Sequence, residues 1–364
     1  MPRYIQYRTT LSDFKMTENE RKVTPISDLG EFGLIDHLTN KIKLKNSSTL
    51  LGVGDDAAIL DFKDEEVVIT TDLLTEGIHF NLMYVPLKHL GYKSVVVNLS
   101  DVAAMNATPK QITVSLAISS KFSVEALDEL YEGIYLACEK YGVDLVGGDT
   151  TSSLTGLVIS ITAIGTAPKG KAVRRSGAKA NDLICVTGDL GGAYMGLQLL
   201  ERETKIYKDA PQVQPKLDGY NYILGRQLKP EARTDIQKVF DSLKVQPTSM
   251  IDISDGLSSE LMHICKQSGT GAKIYEEKIP LDNETKAMAE ELNINPLVAA
   301  LNGGEDYELL FTVPLADHDK IRNHPDITVI GHMVSKEEGT RLITTGGSEI
   351  ELTAQGWNPL KETE

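Results

Sequence analysis

The sequence has few cysteines, no long apolar run and fewer basic than acidic residues. Cys138, Cys185 and Cys265 are odd in number and far apart, so neither a disulfide framework nor a CxxC metal site is predicted. No apolar run approaches the roughly 18 residues of a membrane span. Residues 1–25 are mostly polar and lack the apolar core of a signal peptide. These absences predict a soluble, cytoplasmic protein.

Basic residues are also too few for two classes of partner. Lysine and arginine number 37 against 52 aspartates and glutamates, which gives a net charge of −15. General nucleic-acid binders need basic surface to displace counterions, and anionic membranes attract basic segments. Neither nucleic acid nor a membrane surface is therefore expected as a partner. The sequence also offers no Ser/His/Asp or Cys/His nucleophile set and no zinc-ligand spacing.

Strand-like and helix-like segments alternate along both halves of the 364 residues. This pattern predicts an α/β (α+β) fold of two mixed sheet-and-helix domains. The turn-rich segment KGKAVRRSGAKAND sets the boundary between them. The predicted parts are an N-terminal arm over residues 1–27, a first domain over 28–170 and a second over 171–364.

Local predictions follow from the same periodicities. FGLIDHLTNKI is predicted to be a short amphipathic helix, and residues 89–105 and 124–141 two longer ones. DLVGGDTT and GLVISITAIGTA are predicted to form a strand-turn-strand pair, and residues 284–301 to be helical.

Aspartates that follow short apolar stretches, among Gly, Ser or Thr, are the best candidates for chemistry. Seven come from five segments: Asp55 and Asp56 (GVGDDAAIL), Asp72 (VVITTDLL), Asp101 (VVVNLSDVAAM), Asp149 (LVGGDTT), Asp252 and Asp255 (MIDISDGLSS). Carboxylates at strand ends can share a crevice, where hard cations take oxygen ligands. Without a cation they would repel one another, so we predict a Mg²⁺ site. The alternative is that each is a turn residue or helix N-cap, for which Asp255 before GLSSEL is well suited.

Mg²⁺ held by carboxylates commonly also binds substrate phosphates, which points to nucleotide chemistry. GTAPKGKA has phosphate-loop spacing, but Ala172 replaces the required hydroxyl and no helical pattern follows, so we interpret it as a coincidence. GDLGGAYMG opens a helix and is either an anion cradle or a site of close packing.

Three further features keep two interpretations each. Arg174 and Arg175 could bind a phosphate or form a solvated surface pair. Trp357, the single tryptophan, could stack on a flat ligand or pack on the core. His79 could contact a ligand or have a structural role.

Eight motifs carry a family resemblance: GEFGLI, GVGDDAAIL, ITTDLLTEGIHF, KSVVVNLSDVAAMNATP, LVGGDTT, RRSGAK, IDISDGL and GGEDYELLFTV. In this order, over residues 30–312, the chain resembles the thiamine-monophosphate kinases. The wider superfamily includes aminoimidazole ribonucleotide synthetase, selenophosphate synthetase and a hydrogenase-maturation protein. The chain lacks a cysteine in a glycine-rich N-terminal loop and a C-terminal cysteine, which the last two would need.

The resemblance implies transfer of the ATP γ-phosphoryl group to thiamine monophosphate, with Mg²⁺. It implies an aminoimidazole ribonucleotide synthetase-like fold whose N-terminal domains pair into a homodimer across the ATP sites. The implied Mg²⁺ ligands are Asp56, Thr71, Asp72, Asp101, Asp149, Asp252 and Asp255. The implied ATP contacts are Tyr131, Gly148, Asp149, Arg175 and Ser254, and those to thiamine monophosphate are His79, Glu305 and Trp357. The arm before Asp28 is longer than in the family pattern, so no metal contact is assigned to Asp28.

Other functions stay open on the sequence alone. One is another ATP-dependent member of the superfamily, acting on a purine precursor or a maturation substrate. A second is a Mg-nucleotide-binding sensor without turnover. A third is a plain α/β protein whose aspartates are turns and caps.

Overall fold

The structure is a computed structural model that describes residues 49–51, 54–56, 58–62, 64–119 and 122–354. The predicted helix in FGLIDHLTNKI and the expectations for Asp28 and Trp357 lie outside these residues. Two mixed sheets with flanking helices confirm the predicted fold class. None of the helices in the described ranges is long and apolar enough to cross a bilayer.

The first half of the chain forms a six-stranded sheet. Its strands are β1 (Thr49–Leu51), β2 (Ala58–Phe62), β3 (Glu65–Thr75), β4 (Thr108–Ile118), β5 (Asp144–Ser152) and β6 (Val158–Pro168). Their order is β1-β2-β3-β6-β4-β5, and β4 and β5 run parallel. The buried side chains of β3, β4 and β6 alternate with exposed or half-buried ones, as in a sheet with one covered face.

Two helices cover that face. They are α1 (Leu87–Ala104) and α2 (Val124–Tyr141), and both were predicted to within two residues. Helix α1 is buried from Leu90 onward except at the half-buried Asp101, which its small and β-branched residues permit. The helices approach so closely that a Cβ at Gly91 would lie 1.9 Å from the Leu130 carbonyl oxygen. Helix α1 thus packs directly against α2.

The second half forms a seven-stranded sheet. Its strands are β7 (Leu183–Thr187), β8 (Ser249–Asp252), β9 (Gly271–Tyr275), β10 (Leu309–Val313), β11 (Ile327–Val334), β12 (Thr340–Ile343) and β13 (Glu349–Glu351). Their order is β13-β12-β9-β11-β7-β10-β8. The helices are α3 (Gly192–Asp209), α4 (Asn221–Leu228), α5 (Ile236–Leu243), α6 (Leu257–Ser268), α7 (Asn283–Glu291), α8 (Pro296–Asn302) and α9 (His318–Ile321).

Two local predictions were wrong. β5 and β6 are not partners, because β6 lies between β3 and β4 while β5 is an edge strand. The burial of alternate β6 residues suits a central strand, and the exposure of β5 suits an edge. Residues 284–301 form two helices, α7 and α8, rather than one. Asn293 has a left-handed φ of 54°, and Pro296 begins the second helix.

Candidate functional site

Three of the predicted acids converge at one point. Oxygen atoms of Asp56, Asp101 and Asp252 all lie within 4.8 Å of one another. Asp56 precedes β2, Asp101 lies in the last turn of α1, and Asp252 ends β8. A turn, a helix end and a strand end, from both halves of the chain, thus build one cluster of oxygen ligands. We call these three residues the acid cluster.

Hydroxyl groups orient two of these carboxylates. Thr70 Oγ1 donates to Asp101 Oδ2 at 2.6 Å, and Ser100 Oγ donates to Asp252 Oδ2 at 2.7 Å. Each bond leaves the other oxygen of the carboxylate for a further ligand. In metal sites, donors that hydrogen-bond to the ligands in this way fix the orientation of those ligands.

Asp72 borders the acid cluster. Its strand β3 places Thr70 and Asp72 on one face, because side chains alternate along a strand. The main-chain N–H of Asp72 donates to Asn98 Oδ1 at 3.0 Å, which ties β3 to α1. Burial, followed by the charge of Asp56, raises the pKa of Asp72 to about 6.

Burial and mutual repulsion act on the other acids as well. Burial and the charge of Asp56 raise the pKa of Asp252 to about 8. Burial and the neighbouring carboxylates of Asp72 and Asp252 raise the pKa of Asp101 well above its ordinary value. A cation placed among these carboxylates would favour their ionised forms and reduce their mutual repulsion.

Arg175 supplies one positive charge at the Asp55 and Asp56 end. Its Nη2 donates to Asp56 Oδ1, and its Nε lies 3.6 Å from Asp55 Oδ1. The Arg175 main-chain N–H also donates to Asp55 Oδ2 at 3.0 Å. The second Asp56 oxygen, Oδ2, is buried without a hydrogen-bond partner among the described residues. An open carboxylate oxygen within an oxygen-only set fits the ligand preference of Mg²⁺.

The ISDG turn lies against the GGED loop. The Glu305 N–H donates to the Ser254 carbonyl at 2.7 Å, and the Asp255 N–H donates to Glu260 Oε1 at 2.9 Å. Helix α6 has Gly256, not Asp255, as its N-cap, so the capping role considered for Asp255 is wrong. Burial and the Asp255 charge raise the pKa of Glu260 well above its ordinary value, which makes Asp255 and Glu260 a second pair of crowded acids.

Two of the predicted substrate residues also come together. Glu305 has a left-handed φ of 58° and pairs with Lys93 Nζ at 2.8 Å. Burial lowers the pKa of His79, and the charge of Glu305 opposes this shift, so the two side chains lie within electrostatic range. The His79 Nδ1 accepts the Thr75 N–H at 3.0 Å, which fixes the ring.

Tyr307 interacts electrostatically with both the acids and the region of His79 and Glu305. Burial raises its pKa well above the ordinary value, and the charges of Glu305, Asp72 and Asp252 add to the shift. The Tyr307 side chain therefore lies within electrostatic range of both Glu305 and the acid cluster. The region around His79 and Glu305 and the region around the acids are neighbouring parts of one site.

Four of the predicted site residues are not brought to the acid cluster by the contacts of the described chain. The Thr71 hydroxyl donates to the Ile161 carbonyl at 3.1 Å, on the sheet face opposite to Asp72. Asp149 is exposed on edge strand β5, in register with Ser115. Gly148 allows close pairing, since a Cβ there would lie 1.8 Å from the Val114 oxygen. Tyr131 on α2 packs against Tyr135, with ring centroids 5.7 Å apart.

The residues that orient the acids and Glu305 were not predicted from the sequence. They are Thr70, Lys93, Asn98, Ser100 and Gln227, whose side-chain amide donates to Glu305. A signal was present for three of them, because Lys93, Asn98 and Ser100 are polar residues within the mostly apolar part of the helix that begins at Leu90. Buried polar side chains need partners, so their positions could have marked α1 as the helix that carries the site.

The two phosphate-loop candidates have structural explanations. Residues 165–168 of GTAPKGKA belong to strand β6, and no helix follows Lys171 before β7, which confirms the coincidence. At the start of α3, the Gly191 and Ala193 N–H groups donate to the Asp306 carboxylate at 2.8 and 3.4 Å. The GDLGGAYMG turn therefore binds an anion that the chain itself supplies.

Comparison with known proteins finds relatives over almost the whole chain. The family model described as "AIR synthase related protein, N-terminal domain" matches residues 54–167. Thiamine-monophosphate kinase of Bacillus subtilis is 34% identical over 339 residues, which cover 92% of this chain and 100% of that protein. The enzyme of Aquifex aeolicus is 35% identical over 334 residues, covering 91% and 98%.

A solved structure gives the same relation in three dimensions. AaThiL complexed with AMPPCP and TMP superposes with a TM-score of 0.78 at 33% identity, covering 93% of this chain and 99% of that one. Identity at this level, over almost the whole length of both chains, shows the family: this chain belongs to the thiamine-monophosphate kinases.

Proposed function

We propose that the protein transfers the γ-phosphoryl group of ATP to thiamine monophosphate, giving thiamine diphosphate and ADP, by direct in-line transfer that depends on Mg²⁺. The observation that carries this proposal is the acid cluster of Asp56, Asp101 and Asp252 beside the His79 and Glu305 region. The similarity of this chain to AaThiL covers almost the full length of both. It supports the same activity, because AaThiL was solved in complex with AMPPCP and TMP.

The chemistry requires no general base. The acceptor is a phosphate monoester with a second pKa of about 6, so it is largely dianionic at pH 7. The main obstacle is the repulsion between two polyanions, and positioning with charge neutralisation lowers it. This agrees with a site that, among the described residues, contains acids, hydroxyls and an arginine but no assembled nucleophile.

Mg²⁺ would be held by Asp56, Asp72, Asp101 and Asp252, with Asp255 next to them. When bound, Mg²⁺ supplies neutralisation of phosphate charge and alignment of the two reactants. Thr70, Asn98 and Ser100 hold the carboxylates or their strand in place. Arg175 would contact ATP, where a guanidinium can bind a phosphate through two parallel hydrogen bonds. Ser254 is a proposed ATP contact on the same turn as Asp252 and Asp255.

Thr71, Asp149, Gly148 and Tyr131 remain proposed ligands of Mg²⁺ or ATP, and a homodimer gives Thr71 and Asp149 a common setting. The main helix contacts of the first sheet come from α1, on the face of Thr70 and Asp72. The other face carries the half-buried Ile69 and Ile164, and Leu73, which is 57% exposed. A partly apolar sheet face of this kind is suited to pairing with a second copy. A copy docked there would approach Thr71 and Asp149.

The proposal keeps the division into an arm (1–27), a nucleotide-binding and dimerisation domain (28–170) and a substrate domain (171–364). It is supported by the two sheets, which share no strand among the described residues. A cytoplasmic location and the absence of nucleic-acid partners also belong to it and rest on composition.

The test is direct. Purified protein is incubated with Mg-ATP and thiamine monophosphate, and thiamine diphosphate and ADP are quantified by chromatography. Equimolar appearance of both, abolished by EDTA, is expected. ADP without thiamine diphosphate would favour another superfamily member with a different acceptor. ATP binding without any product would favour a sensor.

A further inference from the structure

We propose that Lys93 and Gln227 are positioning residues that hold the Glu305 carboxylate in the orientation needed to accept a hydrogen bond from thiamine monophosphate. This inference rests on the proposed function, because it presumes that Glu305 contacts that substrate. It assigns to the Lys93–Glu305 pair a role in substrate affinity rather than in the chemical step.

Each oxygen of Glu305 has its own donor. Lys93 Nζ lies 2.8 Å from Oε1, and Gln227 Nε2 donates to Oε2 at 2.7 Å. Two donors on two oxygens fix the rotation of the carboxylate plane, which a single bond would leave free. The Glu305 side chain is nevertheless 30% exposed. Part of the side chain is therefore open to a ligand while the orientation of its carboxylate is fixed.

Lys93 is an unusual residue at its position. Its side chain is only 7% exposed, and lysine is almost never buried unless it is paired. Its ammonium group also donates to the main-chain carbonyl of Gln227 at 3.2 Å, so Lys93 connects α1, α4 and the Glu305 loop. The cost of burying this charge is offset by these contacts, both of which involve the surroundings of Glu305.

The Glu305 backbone also needs external support. A φ of 58° is rare for a residue with a side chain. Its N–H donates to the Ser254 carbonyl at 2.7 Å, on the turn that carries Asp252 and Asp255. Backbone strain of this kind persists where surrounding contacts determine the conformation, and such sites are commonly functional.

Helix α1 sets the distance between Glu305 and the acid cluster. Lys93 and Asp101 lie eight positions apart on this helix, which is about 12 Å at 1.5 Å per residue. A rigid, buried helix therefore links the residue that holds Glu305 to one of the acids. Since phosphoryl transfer requires precise placement of the acceptor, a fixed spacing of this kind serves the proposed reaction.

The charges of Lys93 and Glu305 allow two explanations that predict opposite changes in substrate affinity when Lys93 is replaced. A carboxylate paired with an ammonium group has no net charge, so Glu305 would act as an oriented acceptor rather than as the counter-ion of the thiazolium cation. If Lys93 merely competed with the cationic substrate for Glu305, removing its charge would strengthen substrate binding. If Lys93 positions Glu305, removing it weakens binding.

The experiment measures thiamine monophosphate binding by calorimetry and the KM of both substrates for wild type and Lys93→Met. We expect the Kd and KM for thiamine monophosphate to rise about tenfold to a hundredfold, as for loss of a hydrogen bond to a charged group. The KM for ATP should change less than about twofold. Gln227→Met should give the same split between the two KM values, and it replaces Lys93→Met if that variant does not fold.

The matched control is Lys88→Met. Lys88 lies on the same helix and also forms an ion pair, with Glu132, but both side chains are more than half exposed. Its KM values should equal those of the wild type. In a Glu305→Gln background, Lys93→Met should add less than about twofold, because the carboxylate that it positions is gone.

Tighter binding of thiamine monophosphate by Lys93→Met would overturn the inference, as would a loss of kcat with both KM values unchanged. An additive effect in the Glu305→Gln background would overturn it too. A wild-type protein that forms no thiamine diphosphate would instead overturn the proposed function, and the inference with it.

Discussion

At the scale of single residues, the crowded carboxylates of the acid cluster lower the stability of the fold when no cation is bound. Asp101 is surrounded by Asp56, Asp72 and Asp252, and burial with their charges raises its pKa well above the ordinary value. In the absence of a cation, its ionised form lowers the stability of the fold. A divalent cation would relieve this repulsion, so the same crowding favours the proposed cation site.

Asp101→Asn is therefore expected to separate stability from activity. In EDTA, the free energy of unfolding should rise by about 1 kcal/mol or more, because a raised carboxylate pKa disfavours the ionised folded state. Asparagine keeps an oxygen that can accept the Thr70 bond. Turnover should fall at least about 100-fold, since partners of metal ligands alone are worth 10- to 100-fold. Thermal unfolding with and without Mg²⁺, together with the kinase assay, measures both.

Asp64→Asn, in an exposed turn, is the control and should match the wild type in both assays. A destabilised Asp101→Asn protein that kept the full stabilisation by Mg²⁺ would contradict the assignment of Asp101 to the cation site.

At the scale of elements, the pairing of edge strand β5 with β4 requires glycine at only one of two adjacent glycine positions. A Cβ at Gly148 would lie 1.8 Å from the Val114 carbonyl oxygen of β4, whereas a Cβ at Gly147 would meet nothing within 4 Å. The requirement for glycine in LVGGDTT is thus explained at position 148 by the close approach of two strand backbones.

We expect Gly148→Ala to lower the free energy of unfolding by about 1–3 kcal/mol, the usual effect of forcing extra volume into a packed contact. Gly147→Ala should stay within about 0.5 kcal/mol of the wild type, as surface substitutions do. Urea denaturation of the two variants gives the comparison. Equal stabilities would show that β4 and β5 are not as close as described.

At the scale of the whole molecule, the open face of the first sheet is the proposed dimer interface. Leu73 is 57% exposed on this face, and Leu315, in the second half, is 59% exposed. Their equal exposure makes them a matched pair of sites for testing whether the position of an apolar side chain matters.

Leu73→Asp should produce monomers, because a charge on an apolar interface costs its desolvation. Leu315→Asp should remain dimeric. Sedimentation analysis distinguishes one chain of 39.8 kDa from two. Activity should fall with dissociation if the ATP sites lie at the interface. A wild-type protein that sediments as a monomer would remove the dimer from the proposal and leave Thr71 and Asp149 without a common site.

The sequence by itself determined the fold class, the family and most of the elements. Helix α2 was predicted over its observed range, Val124–Tyr141, because its apolar periodicity is a local signal. The aspartates were predicted as a group, because carboxylates next to apolar strands and glycines are a local pattern.

Only the tertiary structure decided which of these acids meet. Asp56, Asp101 and Asp252 come together through strand order and the packing of α1, which depend on contacts between distant segments. The same contacts put Thr71 on the opposite face of β3 from Asp72, paired Lys93 with Glu305, and placed β6 between β3 and β4. Local propensity contains no information on such partners, because their energies arise only when remote surfaces are buried against each other.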